Sequence, residues 1–478
     1  MQMFLNYLKL TILGFVFSCV SWAGKQPNIV FFLADDLGWT GLSSYGSDFY
    51  ETPHLDKLAG KGLKFTNAYA ACTVCSPTRG AIMTGMYPAR TNLTDFIAGQ
   101  NRPYAKMKLP EWNMGLKQEY TTIAEALKGA GYRTGQVGKW HLDYPNESIG
   151  PKGHGFDYAE DKPKESRGYM IPNAKEGEPN YVTDYLTDKA IEFIEKPSKK
   201  DQPFYLYFAY HVPHTPIQGR PDLVKEYQAK VNPNAIHHNP EYAAMVKSMD
   251  MSVGRVLECL KKNNLDENTL VIFTSDNGGL TQRNGKHDDF TENIPLRRGK
   301  GSAFEGGVRV PGIVYWPNKT PVGKVCSEPI TSVDYYPTIL SASGVLGDAE
   351  HNKNIDGIDL TGIFKNPSKK LDRDIFWHYP HYHAGGDWPY SSIRSGDYRL
   401  IESLEDGHVE LYHLGKDLGE MQDLSSQFPE KALVLKASLK KWRASVSAQL
   451  PTLNSNYDPK RASETAKNKK KKSSNKNK

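Results

Sequence analysis

Four runs of apolar residues punctuate the chain: Asn28 to Leu33, Tyr132 to Val137, Pro203 to Tyr210 and Thr269 to Thr274. They are rich in Val, Ile, Phe and Tyr and do not alternate cleanly with polar residues. That is the pattern of strands covered on both faces of a parallel sheet. Between them the period lengthens to that of helices. Tyr120 to Ala130 (YTTIAEALKGA) has Thr at its start and Gly at its end, and Tyr181 to Glu195 and Glu241 to Lys262 place apolar residues at helical spacing. Alternating strands and helices predict an α/β fold with a large mixed, mostly parallel sheet flanked by helices. After about residue 365 the texture changes. Asn366-Pro367-Ser368-Lys369-Lys370 reads as a linker. Short strand-like pieces follow at Asp374 to Tyr379, Tyr390 to Arg394, Tyr398 to Ser403 and Glu410 to His413, then a helix from Pro429 to Ser447. The expected organisation is a main domain over 24–365 and a smaller α+β domain over 366–460, with no internal repeat.

Each of the four apolar runs ends in polar chemistry. The first leads into Asp35-Asp36, the second to Lys139-Trp140-His141, the third to His211-Val212-Pro213-His214 and the fourth to Asp276-Asn277-Gly278-Gly279. Open α/β sheets bind ligands beyond the carboxyl ends of their strands, so these four ends describe one site.

The termini change the reading of charge. Residues 1–23 have the order of an export signal: Lys9, an apolar stretch from Leu10 to Val20, and Ser21-Trp22-Ala23 as a cleavage site. A lipoprotein signal ending at Cys19 is the alternative reading. No later segment is apolar enough to cross a membrane, so the expected location is periplasmic or secreted. Of the formal charge of +6, the last eighteen residues (461–478) carry +7 and Lys9 one more, which leaves the rest at −2. The basic character therefore belongs to a Lys/Asn/Ser tail that cannot fold by itself. Nothing else points to nucleic acid.

Cys72 and Cys75 lie three apart, a spacing compatible with a redox pair or half a zinc site. Cys259 and Cys326 are distant and single, which argues against zinc; the sequence does not fix whether Cys72, Cys259 and Cys326 form any disulfide. Pro77 suits a first helical turn, so Cys75 sits at a helix start where backbone N–H groups favour an anion. Arg79, one turn on, can aim a guanidinium at the same place. Asp35, Asp36, Asp276 and Asn277 make a hard oxygen set suited to Ca²⁺ or Mg²⁺. Lys139 and Lys300 add cations, and His141 and His214 can move protons. Such a pocket suits a tetrahedral anionic ester, sulfate or phosphate.

These residues resemble a known family. Cys75-Ser76-Pro77-Thr78-Arg79 is similar to the C-x-P-x-R signature of type I sulfatases, in the alkaline phosphatase superfamily, and Gly131 to His141 (GYRTGQVGKWH) to the second signature. Asn28 to Trp39, Ser275 to Gly278 and Gly299 to Pro311 also resemble the family, over about residues 27 to 440. Thr78 departs from the common Ser and Asp143 from the usual Gly. The resemblance implies that a formylglycine-generating or anaerobic maturation enzyme oxidises Cys75 to formylglycine. It implies a metal, calcium ahead of magnesium, on Asp35, Asp36, Asp276, Asn277 and residue 75. Arg79, Lys139 and Lys300 would stabilise the sulfuryl charge, His214 with Lys300 would protonate the leaving alcohol, and His141 would help release sulfate.

The expected substrate is a sulfated carbohydrate, because steroid-ester members would need long apolar segments. Candidate sugar contacts are Asp95, Arg102, His378, His381 and Trp388. Thr94 to Ile97 with Arg102-Pro103 resembles enzymes of galactose-type sugars, which suggests a 4-sulfate. The rival readings are a phosphoester or phosphonate hydrolase of the same superfamily, a non-catalytic glycan binder and a Cys72–Cys75 redox protein.

Overall fold

The computed structural model describes residues 25–144, 149–196, 201–283, 286–386 and 388–465. The expected signal segment, Cys19 and the tail beyond 465 lie outside the described residues. Strands are numbered along the chain: β1 (Asn28–Ala34), β2 (Leu63–Tyr69), β3 (Arg133–Gly138), β4 (Tyr158–Glu160), β5 (Phe204–Ala209), β6 (Thr269–Ser275), β7 (Arg309–Tyr315), β8 (Lys324–Cys326) and β9 (Ile330–Thr331). They form one sheet in the order β8-β2-β7-β6-β1-β5-β3-β4, with β9 also on β2. β1 lies at its centre, parallel to β5 and β6. β7 runs antiparallel to both β6 and β2.

The four apolar runs are the four central parallel strands. Their residues do alternate, but each face meets its own apolar layer. Val30, Phe32, Leu206, Phe208 and Phe273 pack with residues of α3 (Val182–Glu195) and α4 (Pro240–Lys262). Ile29, Phe31, Tyr207 and Ile272 pack with α2 (Ile123–Gly129) and α5 (Tyr335–Ser343), whose numbering counts α1 (Cys75–Thr84) as the first. Two apolar faces hide the period of two. β3 starts at Arg133 rather than Tyr132 because the Tyr132 N–H returns to the Leu127 carbonyl and closes α2. The Thr at the start of α2 is Thr122, which forms a reciprocal capping box with Glu125.

Register fixes the site. Leu33 pairs with Ala209 and Thr274, and Gly138 with Ala209. The residues that follow β1, β3, β5 and β6 therefore emerge at one level on one edge.

The second sheet is an antiparallel meander of β10 (Asp374–Tyr379), β11 (Tyr390–Ser395), β12 (Tyr398–Ser403) and β13 (Val409–His413), with α6 (Pro429–Ser445) against it. One apolar cluster joins Ile393, Leu400 and Leu411 to Leu439 and Trp442 and also to Ala81 of α1. Another sets Cys72 and Val74 among Trp377, Tyr379 and Tyr390. The small sheet thus braces the approach to α1. Cys72, Cys75, Cys259 and Cys326 are free and buried, so neither a disulfide nor a Cys72–Cys75 bridge is present among the described residues. No helix among the described residues is long and apolar enough to cross a membrane.

Candidate active site

Cys75 is the first residue of α1, after an extended Val74. Pro77 sits in the first turn, where its missing N–H costs no helical bond. Thr78 does local work: its hydroxyl accepts from the Cys72 N–H (3.1 Å) and donates to the Cys72 carbonyl (3.1 Å). One turn beyond Cys75, Arg79 is fully buried. Its Nε (2.9 Å) and Nη2 (2.6 Å) donate to Asp276 Oδ2, and its Nη1 donates to the Lys139 carbonyl (2.7 Å).

The strand ends supply the rest. Lys139 Nζ lies 2.7 Å from Asp35 Oδ2, and Lys300 Nζ lies 2.7 Å from Asp36 Oδ1 and 3.4 Å from Cys75 Sγ. Three buried acids thus face the buried cations Arg79 and Lys300 and the partly buried Lys139. Burial alone would push the Asp35 carboxyl up, but Lys139 opposite, with His214 and Arg79, holds it well below the usual carboxylate range. Burial dominates at Cys75: its thiol is pushed up to about 12 even though Lys139 and Lys300 oppose the rise. Lys300 sits in a Gly-rich loop, where Gly301 has φ +86 and a Cβ there would lie 1.8 Å from His383 Nδ1.

The two site histidines have defined tautomers, because a carbonyl only accepts. His141 Nε2 donates to the Ile97 carbonyl (2.8 Å), which leaves Nδ1 as a buried lone pair without a partner. Burial and then Lys139 bring its pKa down to about 3. His214 Nδ1 donates to the Thr215 carbonyl (2.7 Å), and Nε2 lies 3.7 Å from Asp36 Oδ2. Burial and Lys300 lower its pKa as well.

The residues fit a hard metal ion. Ligand atoms of Asp35, Asp36, Cys75 and His214 all lie within 4.8 Å of one another. Asn277 Nδ2 is committed to Asp36 Oδ1 (2.7 Å) and the Gly278 carbonyl (2.9 Å), so Oδ1 is its free end. Asn277 Oδ1 and Asp35 Oδ1 are buried acceptors without a hydrogen-bond donor, the state expected of oxygens that wait for a cation. Asp276 stands outside that group with both oxygens engaged, Oδ1 accepting from the Asp36 N–H (3.1 Å) and Oδ2 from Arg79.

Above this floor opens a cavity of about 440 Å³ lined by Asp35, Cys75, Lys139, His141, His214 and Lys300, with Phe96, Gln100 and His383 on its wall. The five residues expected to touch sugar are placed differently. Asp95 and His381 are buried behind the wall: Asp95 Oδ1 accepts from the Tyr379 hydroxyl (2.7 Å), and His381 Nε2 pairs with Thr94 Oγ1 (2.8 Å). His378 is buried in the small sheet with both nitrogens engaged, by Ser391 Oγ and the Gln449 carbonyl (each 2.8 Å), and lies away from the cavity. Trp388 packs edge-on against Phe304 and His408. Arg102 is partly exposed and is not itself a lining residue of the cavity, although Gln100, two residues earlier, is. Sequence reasoning passes over Gln100, Lys162, Tyr169, His211 and Arg283, which line the cavity. His211 opens the same His-Val-Pro-His stretch as His214, but the other four carry no motif.

Comparison with known proteins places this geometry. The sulfatase family model matches residues 27–345, and the C-terminal model of N-sulphoglucosamine sulphohydrolase matches 299–446. A sulfatase of Formosa agariphila is 32% identical, over 88% of this chain and 89% of its own length. The N-acetylgalactosamine-6-sulfatase of Sus scrofa is 32% identical, over 85% and 83%. The crystal structure of Ps i-CgsB in complex with k-i-k-neocarrahexaose superposes with a TM-score of 0.73 at 30% identity, over 89% of this chain and 94% of that one. The chain is therefore a hydrolase of sulfate esters and belongs to the sulfatase family, within the alkaline phosphatase superfamily.

Proposed function

We propose that the protein removes O-sulfate from a carbohydrate of the galactose type, with residue 75 matured to formylglycine and calcium held by Asp35, Asp36, Asp276 and Asn277. The observation that carries this reading is Cys75 itself. A thiol pushed up to about 12 is not a thiolate at neutral pH and is a poor nucleophile. Yet it sits where three acid–cation pairs converge. Hydrated formylglycine at residue 75 would supply two hydroxyls on one carbon, one able to take the sulfuryl group and one whose deprotonation would release sulfate and restore the aldehyde. A bound calcium supplies positive charge to the sulfuryl oxygens.

The chain's own residues do the rest. Arg79, Lys139 and Lys300 place fixed positive charge where the sulfuryl oxygens gather negative charge. His141, neutral and with its Nδ1 lone pair free, would take a proton from a hydroxyl on residue 75 once the bound anionic ester offsets the Lys139 charge that helps hold its pKa down. His214 gives a proton to the departing sugar oxygen. Its Nε2 must first be charged, and an anionic ester arriving beside it favours that. A galactose-type sugar is supported by relatives that act on N-acetylgalactosamine sulfate or were solved with a neocarrahexaose. The N-acetylgalactosamine sulfatases among those relatives are 6-sulfatases, against the 4-sulfate expected from the sequence, and turnover of the two isomers decides between them. The apolar start of the chain supports export, and a maturation enzyme is the partner that the modification requires.

Mass spectrometry of the peptide carrying residue 75, taken from active protein, tests the proposal. The expected mass is that of –CHO in place of –CH₂SH; an intact thiol in enzyme with full turnover would exclude the mechanism. Parallel assays with aryl sulfate and aryl phosphate complete the test, with sulfate turned over faster.

A further inference from the structure

In the catalytic centre three cations already face acids: Arg79 faces Asp276, Lys139 faces Asp35 and Lys300 faces Asp36. Arg102 has no such partner. Neither an ion pair nor a hydrogen bond reaches its guanidinium among the described residues, and its Nε is fully buried without an acceptor. Its one contact in kind is the ring of Tyr382, 5.5 Å from the guanidinium. Glu405, which also meets Tyr382, is occupied by the Tyr382 hydroxyl (2.5 Å) and by Lys106 Nζ at 3.9 Å. Burial with no carboxylate opposite pulls the Arg102 pKa below the usual arginine value. A half-desolvated guanidinium with idle donors is costly unless a ligand completes it.

The position of Arg102 says where that ligand comes from. Gln100, two residues earlier, lines the cavity, and so does His383, whose pKa burial and then Lys300 pull down, with Arg102 adding a smaller push. His383 Nδ1 accepts from the Gly385 N–H (2.9 Å), so its Nε2 carries the proton and is a second donor on that wall. Gly301, next to Lys300, touches the same ring. One side of the cavity therefore runs from the Lys300 ammonium to His383, and Arg102 lies just beyond that lining, on the ring of Tyr382 next to His383.

Resting on the carbohydrate-sulfatase reading above, we infer that Arg102 binds a second anionic group of the substrate, a sulfate or carboxylate other than the one being cleaved. The enzyme then selects multiply charged saccharides over singly charged ones. Both groups present a planar or tetrahedral set of oxygens that a guanidinium grips with two parallel N–H bonds.

The test compares kcat/KM for three saccharides with the same reacting sulfate on the same galactose-type sugar: one otherwise neutral, one with a second O-sulfate, and one linked to a uronic acid. For the wild type, at least one charged substrate should exceed the neutral one by about tenfold or more, through KM, since charge-assisted pairs of this kind are worth that much. The charged substrate with the gain identifies the group as sulfate or carboxylate. The gain should shrink as ionic strength rises. In Arg102→Gln the ratio should fall toward one, and in Arg102→Lys, which keeps charge but loses the fork, it should fall part of the way. Equal kcat/KM for all three substrates in the wild type, or a ratio unchanged in either variant, overturns the inference. If Arg102→Gln fails to fold, the salt dependence and Arg102→Lys decide. Absence of turnover on any sulfate ester would count against the sulfatase reading instead.

Discussion

At the scale of single residues, the site depends on what burial does to ordinary side chains. Cys75 becomes a poor thiol, and His141 stays neutral with one aimed lone pair. Asp95 shows the same physics with a consequence for stability. Burial pushes its carboxyl from 3.8 to about 7, although the Tyr379 hydroxyl and the Phe96 N–H oppose the rise. Its Oδ2 has no partner and lies 3.9 Å from His381 Nδ1, which has none either. Between about pH 4 and pH 7 the folded protein holds a proton that the unfolded chain has released. Asp95 therefore costs stability as pH rises through that window, and the full cost persists above it. Asp95→Asn keeps an oxygen for Tyr379 and Phe96 and carries no charge. It should be more stable than wild type at pH 8, by up to about 4 kcal/mol, with the advantage vanishing toward pH 4. Denaturant unfolding at both ends of that range measures this, and a constant difference would exclude it.

At the scale of elements, the sequence is legible where both faces of an element have the same task. Asn28–Ala34 and Thr269–Ser275 read as buried strands because each face meets its own apolar layer, and their polar ends located the floor of the site. The small sheet was legible as strands, because β10 to β13 carry aromatic and β-branched residues, but the direction of each side chain was not. His378 and His381 lie three apart on one segment that looked like a sugar-facing cluster. In the structure both are consumed inside it. Cavity residues such as Lys162 and Arg283 come from segments far apart in the chain, and only tertiary placement reveals them. The loop that carries Lys300 shows how an element sets chemistry. Gly301 lies in the left-handed region against His383, and no Cβ fits there. Gly301→Ala should lower stability by about 1–3 kcal/mol and cut turnover more than it raises KM, because Lys300 moves with the loop. Steady-state kinetics beside thermal melts would check it, and an unchanged kcat would show that the loop tolerates the shift.

At the scale of the whole molecule, the site is a junction. β1 and β6 bring the acids, α1 brings residue 75 and Arg79, and the 297–302 loop brings Lys300. That loop is tied to the small sheet through Glu305, whose Oε1 accepts from Arg399 (2.5 Å) and whose N–H donates to Glu420 (2.7 Å). An ion bound among Asp35, Asp36, Asp276 and Asn277 would join the ends of the neighbouring strands β1 and β6, and its binding energy would add to the stability of the folded state alone. At 100 times its dissociation constant, calcium should stabilise the protein by about 2.7 kcal/mol. A chelator should reverse the shift, and calcium should restore it more fully than magnesium, which demands tighter octahedral geometry. Asp35→Asn weakens the oxygen set and leaves Lys139 without its acid, so it should flatten the calcium dependence of the melting temperature. This readout needs no turnover. A calcium shift of equal size in Asp35→Asn would place the ion elsewhere on the molecule.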